Sequence, residues 1–164
     1  MSATLTQAPP RPAGLRAWLA RPAGFGLTRG ELLLYALILS LAAALRLWDL
    51  GSRTLHHDEA IHAKLTFDFV QGQQYRYNPA YHGPFLFFTT GALFAVFGAS
   101  EVLARVLPAL FGVAVVAVVG LFRPELGRVG TPLAMFALTI STGFLYYSRF
   151  ARNDIYVAFF TLVM

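Results

Sequence analysis

Residues Glu31–Leu50 read ELLLYALILSLAAALRLWDL. A bilayer crossing takes about 20 predominantly apolar residues, and this stretch supplies them, with Trp48 placed for the membrane interface and Arg46 close to the end of the run. The stretch therefore predicts a membrane helix rather than a soluble core helix. The rest of the composition agrees. Of the 164 residues, 57% are hydrophobic and only 13% charged, about half the charge of an average soluble domain. The net charge of +5 fits loop anchoring at a membrane surface and gives no ground for a nucleic-acid partner. Cysteine is absent, which excludes disulfides and thiolate metal sites.

Upstream, residues 1–30 hold Arg11, Arg16, Arg21 and Arg29, four prolines and no acid, a pattern that predicts a flexible basic tail on the cytoplasmic side. Downstream, Gly51 and Ser52 end the first span. Ile61, Leu65 and Phe69 then recur at helical spacing, predicting an amphipathic helix over 58–71 lying at the membrane interface. The run 84–99 is apolar but short for a span, which places it as a second juxtamembrane helix. Further spans are predicted over about 102–122 and 131–147, and another from 155 that the chain end at Met164 interrupts. The sequence thus reads as the leading part, 31–164, of a larger all-α, multi-span membrane domain. If 84–99 does not cross, the loop 49–101, with five acids against three basic residues, faces outward, and Arg123 and Arg128 face inward with the tail arginines. The positive-inside rule favours that arrangement.

The polar residues concentrate in two places. Residues Leu55–Ala63 read LHHDEAIHA, and Ser148–Asp154 read SRFARND. Asp58 and Glu59 open the helix 58–71, where Asp58 suits an N-cap and also a preorganised base. The histidines invite a metal reading: Asp58, His62 and Asp154 would suffice for one divalent ion, whereas His57 and His62, five apart, do not match the zincin spacing. Arg46, Arg105 and Arg149 each lie near the end of an apolar run. Snorkelling accounts for such arginines, and so does binding of a phosphate by several converging guanidinium groups. Arg105 is also spaced to pair with Glu101. Tyr75, Tyr77 and Tyr81 suit an interfacial belt or, alternatively, a sugar platform.

Taken in order, these features resemble a known family. An arginine and a tryptophan end the first helix, and Asp58-Glu59 opens a juxtamembrane helix. Tyr77–Pro84 reads YNPAYHGP, Gly98–Pro108 matches Gly-x-Ser-Glu-x-x-x-Arg-x-x-Pro, and Tyr147–Asp154 matches Tyr-Ser-Arg-x-x-Arg-x-Asp. The set resembles the N-terminal part of C-type-fold integral-membrane glycosyltransferases, in the superfamily of protein O-mannosyltransferases and aminoarabinose transferases, and within it the flippase-associated glycosylation branch. The resemblance implies a polyprenyl-phosphate-linked sugar donor and transfer on the outer face of the cell membrane to a protein, lipid or glycan acceptor. It implies Asp58 as the catalytic base, with Glu59 and Asp154 as further catalytic acids. Relatives often carry lysine just before the proline at 84, where this chain has Gly83, so the lipid-phosphate role falls to His82, Arg46, Arg105, Arg149 and Arg152. The competing class is a carrier or flippase of lipid-linked sugars, whose charges mark a transport path without chemistry.

Overall fold

A computed structural model describes residues 14–24, 26–74 and 83–164. It divides into two units, 1–34 and 35–164. The described part of the first unit holds a short helix α1 (Leu15–Leu19), an antiparallel hairpin of β1 (Pro22–Gly24) and β2 (Leu27–Thr28), and the first turns of α2 (Arg29–Leu47). Residues 14–24 and 26–30, inside the stretch read from the sequence as a flexible basic tail, carry this local structure. Two local contacts order them: Arg29 lies over the Trp18 ring at 5.1 Å, and Thr28 caps α2 by exchanging hydrogen bonds with Glu31.

The second unit is all-helical: the rest of α2, then α3 (His57–Val70), α4 (Pro84–Phe97), α5 (Glu101–Leu121), α6 (Arg123–Ile140), α7 (Thr142–Ser148) and α8 (Asp154–Val163). Local chemistry sets most boundaries. Pro84 occupies the first turn of α4, where its missing N–H costs nothing. Gly98, at φ 84°, ends α4. The Ser100 hydroxyl accepts from Leu103 N at 3.2 Å and starts α5. α2 and α5 are long and apolar enough to cross a membrane, and α6 with α7 forms a third such segment bent by 61°, while α4 and α8 are shorter apolar helices. The fold is therefore the multi-span helical membrane class that the apolar runs predict.

α5 is the central element, packed against α4, α6, α7 and α8. Leu86, Val115, Ile155 and Tyr156 join α4, α5 and α8, and Phe94, Ala104 and Ala151 join α4 and α5 to the turn before α8. α3 packs on α4 through Phe69 and Phe87, whose ring centroids are 5.0 Å apart.

The predicted span 131–147 is broken at Ser141, whose ψ of 119° is extended. Such a break strands carbonyls at the end of α6, which is tolerated at membrane depth only where a buried donor reaches them. Arg46 is that donor. It is fully buried and donates to Leu138 O at 3.1 Å, Thr139 O at 3.4 Å and Ala42 O at 3.3 Å. Its charge also complements the negative end of α6. Gly112 makes the room: a Cβ there would collide with Ser148 Cβ and stand 2.8 Å from Arg46 Nε. Arg46 therefore neither snorkels to the interface nor presents its head to a lipid phosphate, and both expectations for it are corrected.

Candidate functional site

The centre of the polar region is a buried ion pair. Arg105, in the first turns of α5, donates through Nε to Glu59 Oε1 at 2.8 Å and through Nη2 to Glu59 Oε2 at 2.7 Å. Its other three N–H groups go to Leu50 O, Arg53 O and Thr54 O at 2.8–3.1 Å. All five donors are used, and the loop between α2 and α3 is wrapped around them. Glu59 is equally saturated: besides Arg105 it accepts from Ala151 N at 2.9 Å and His56 N at 3.0 Å, and it is 1% exposed. Burial pushes the Glu59 carboxyl up, but the Arg105 and backbone hydrogen bonds and the Arg105 charge outweigh it and hold it below the ordinary carboxylate range.

Four expectations are corrected here. Glu59 is a tether between the two polar clusters and has no lone pair left for a substrate proton. Arg105 pairs with Glu59 instead of Glu101 and has no N–H left for a phosphate. The helix cap is not Asp58: α3 begins at His57, and the cap bond runs from His56 N to the Glu59 side chain.

Asp58 is free of that duty. Its side chain is 42% exposed, and its Oδ2 stands 3.3 Å from Arg152 Nη1. Arg152 Nε in turn stands 3.4 Å from Asp154 Oδ2. The two acids expected to share a site are thus bridged by one guanidinium, at distances longer than a tight charge-assisted bond. The bridge follows from the tether, because the bond from Ala151 N to Glu59 brings the turn before α8 against the start of α3. Among the described residues no three His, Asp or Glu side chains gather to hold a metal ion. Between Asp58 and Asp154 the bridging cation is Arg152. His62 does not join them. His82, Tyr75, Tyr77 and Tyr81 lie outside the described residues.

A cavity of about 1100 Å³ opens between residues 49–57 and α7, and Asp58, Arg152 and Asp154 are not among its lining residues. Thr142, Leu145, Tyr146 and Arg149 line it from one helical face, Asp49, Arg53 and His56 from the loop, and His57 from the start of α3. Arg149 caps the end of α2 by donating to Leu45 O at 2.7 Å and Asp49 O at 3.2 Å, and among the described residues its remaining N–H groups have no protein acceptor. With Glu59 paired to Arg105, the lining sets Arg53 and Arg149 against Asp49, a small net positive charge, and the cavity is large enough for a sugar phosphate. Sequence reasoning missed Arg53, His56 and Tyr146. The spacing of Thr142, Leu145, Tyr146 and Arg149 on one helix face was the available signal for the last.

The fold and the polar region together define a helical membrane protein with a buried organising ion pair beside a partly exposed acid. The comparison with protein families is more specific. The model for dolichyl-phosphate-mannose-protein mannosyltransferases matches residues 62–163, more than half of the chain, and the chain belongs to this family of membrane glycosyltransferases. The matched stretch contains Arg105, Arg149, Arg152 and Asp154 and begins just after Glu59. Comparisons with curated proteins and with solved structures return no match.

Proposed function

We propose that the protein transfers mannose, the sugar in its family's description, from a polyprenyl phosphate to an acceptor hydroxyl of a protein on the outer face of the cell membrane, with Asp58 as general base. The observation that carries this reading is the division of labour in the Asp58-Glu59 doublet. Glu59 spends all its acceptor capacity on structure. Asp58 stays partly exposed and, among the described residues, has one loose partner, Arg152.

The reaction is a single displacement. The acceptor oxygen forms a bond to the anomeric carbon while its proton passes to Asp58, and the bond from that carbon to the phosphate oxygen breaks. The leaving polyprenyl phosphate gains negative charge, which Arg149 and Arg152 stabilise electrostatically. A carboxylate held on the first turn of a tethered helix enters this step already positioned. Asp154 holds Arg152 at its second side and so positions the guanidinium beside Asp58. The arginine distribution supports the outward placement of both clusters.

The test uses the purified protein in liposomes with radiolabelled polyprenyl-phosphate-mannose and a serine- and threonine-containing peptide. Labelled glycopeptide with inverted anomeric configuration is the expected product. Movement of labelled lipid across the bilayer without glycopeptide would establish the carrier reading instead.

A further inference from the structure

The cavity has an aromatic feature that the transfer reading does not use. Tyr146 lines it and is 51% exposed. Phe150 stacks against the Tyr146 ring, with centroids 5.3 Å apart and planes 24° apart. Phe150 is itself buried and lies 5.4 Å from the His56 ring, in a tilted arrangement. The Tyr146 ring is thus a supported plate. Arg149 sits one residue short of a helical turn further along, on the same face, with donors to spare in the same cavity.

A flat ring beside a guanidinium matches one class of ligand: a glycosyl phosphate, whose apolar C–H face covers a ring while its phosphate meets the cation. We infer that Tyr146 is the sugar platform of this cavity and a determinant of donor specificity. The inference rests on the donor reading above, and it adds a division: Arg149 holds the phosphate and Tyr146 holds the sugar. An interfacial tyrosine facing lipid would also be exposed, but it would not line this cavity or share its helix face with Arg149.

The division is measured by equilibrium binding in nanodiscs, which is independent of turnover. The two probes are polyprenyl-phosphate-mannose and sugar-free polyprenyl phosphate. Tyr146→Leu is expected to raise the Kd of the mannosyl lipid about tenfold, the scale of one aromatic contact, and to leave that of the sugar-free lipid unchanged. Tyr146→Phe keeps the plate and is expected to bind both lipids within about twofold of the parent protein. Equal weakening of both lipids by Tyr146→Leu, or no change in either, overturns the inference, as does a tenfold loss of mannosyl lipid in Tyr146→Phe. Arg149→Ala is expected to weaken both lipids. If it weakens neither, the cavity does not seat the donor phosphate, and that failure belongs to the donor reading and is separable from the Tyr146 result.

Discussion

Replacing Glu59 by glutamine separates a tether from a catalytic acid. The carboxylate accepts four hydrogen bonds, two from Arg105 and one each from His56 N and Ala151 N. Glutamine keeps one acceptor oxygen and turns the other position into an NH2 donor. One Arg105 N–H and one backbone N–H then face a donor in a buried site. Hydrogen bonds to charged groups contribute about 1.5–3 kcal/mol and neutral ones about 1 kcal/mol, and a buried pair that loses one partner costs about 3–5 kcal/mol, because the remaining charge is uncompensated. The expected loss is about 4 kcal/mol, which lowers the apparent Tm by roughly 10 °C at this chain length. Asp58→Asn disturbs only a half-exposed ion pair and costs about 1 kcal/mol or less. The assay is thermal unfolding of the purified variants in one detergent. Glu59→Gln combined with Arg105→Met should lose less than the sum of the two single changes, because the uncompensated charge is gone. A Glu59→Gln protein that melts within about 2 °C of the parent but fails to transfer sugar would refute the tether and make Glu59 a catalytic acid.

Three further outcomes follow from the packing and the charges. Gly112→Ala should destabilise by about 1–3 kcal/mol, since its Cβ collides with Ser148 Cβ and crowds Arg46, whereas Gly91→Ala, whose nearest contact is 3.6 Å from Thr66 Cγ2, should be neutral or stabilising by up to about 1 kcal/mol. Paired melting curves decide this. The depressed Glu59 carboxyl contributes stability that is fully present above the ordinary glutamate pKa of about 4.3 and is lost as pH falls through the lower folded value. Unfolding followed against pH should therefore steepen below that point in the parent protein and flatten there in Glu59→Gln. Single cysteines at the exposed positions Ser52 and Ser100 should react with an impermeant thiol reagent from outside, and one at the exposed Val129 only from inside. Labelling of Ser52 and Ser100 from opposite faces would contradict the outward site.

The all-helical, multi-span class was legible because it depends on local chemistry. The apolar runs, Pro84, Gly98 and the Ser100 cap all act within a few residues of themselves. The roles of the charged residues were not legible, because burial is settled by partners far along the chain. Arg46 finds Leu138 O and Thr139 O more than 90 residues away, and Glu59 finds Ala151 N at a separation of 92. Near the end of an apolar run, the local solution for an arginine is to reach for the interface. In this fold a stranded helix end offers a closer acceptor. The break at Ser141 that creates it carries no proline or glycine of its own, so the apolar run 131–147 reads as continuous. The meeting of Asp58 with the turn before α8 was anticipated from the two polar clusters, while Arg152 as the bridge between the acids was not.

The most direct test of the catalytic assignment is the turnover of Asp58→Asn. Asparagine keeps the size of the side chain and its place on the first turn of α3, but it cannot take the acceptor proton. With donor and peptide saturating, and with the melting temperature matched to the parent, transfer should fall by about two to four orders of magnitude, while the Kd for polyprenyl-phosphate-mannose changes little. Near-parental turnover in Asp58→Asn would contradict the account, leaving Asp58 as no more than a surface partner of Arg152.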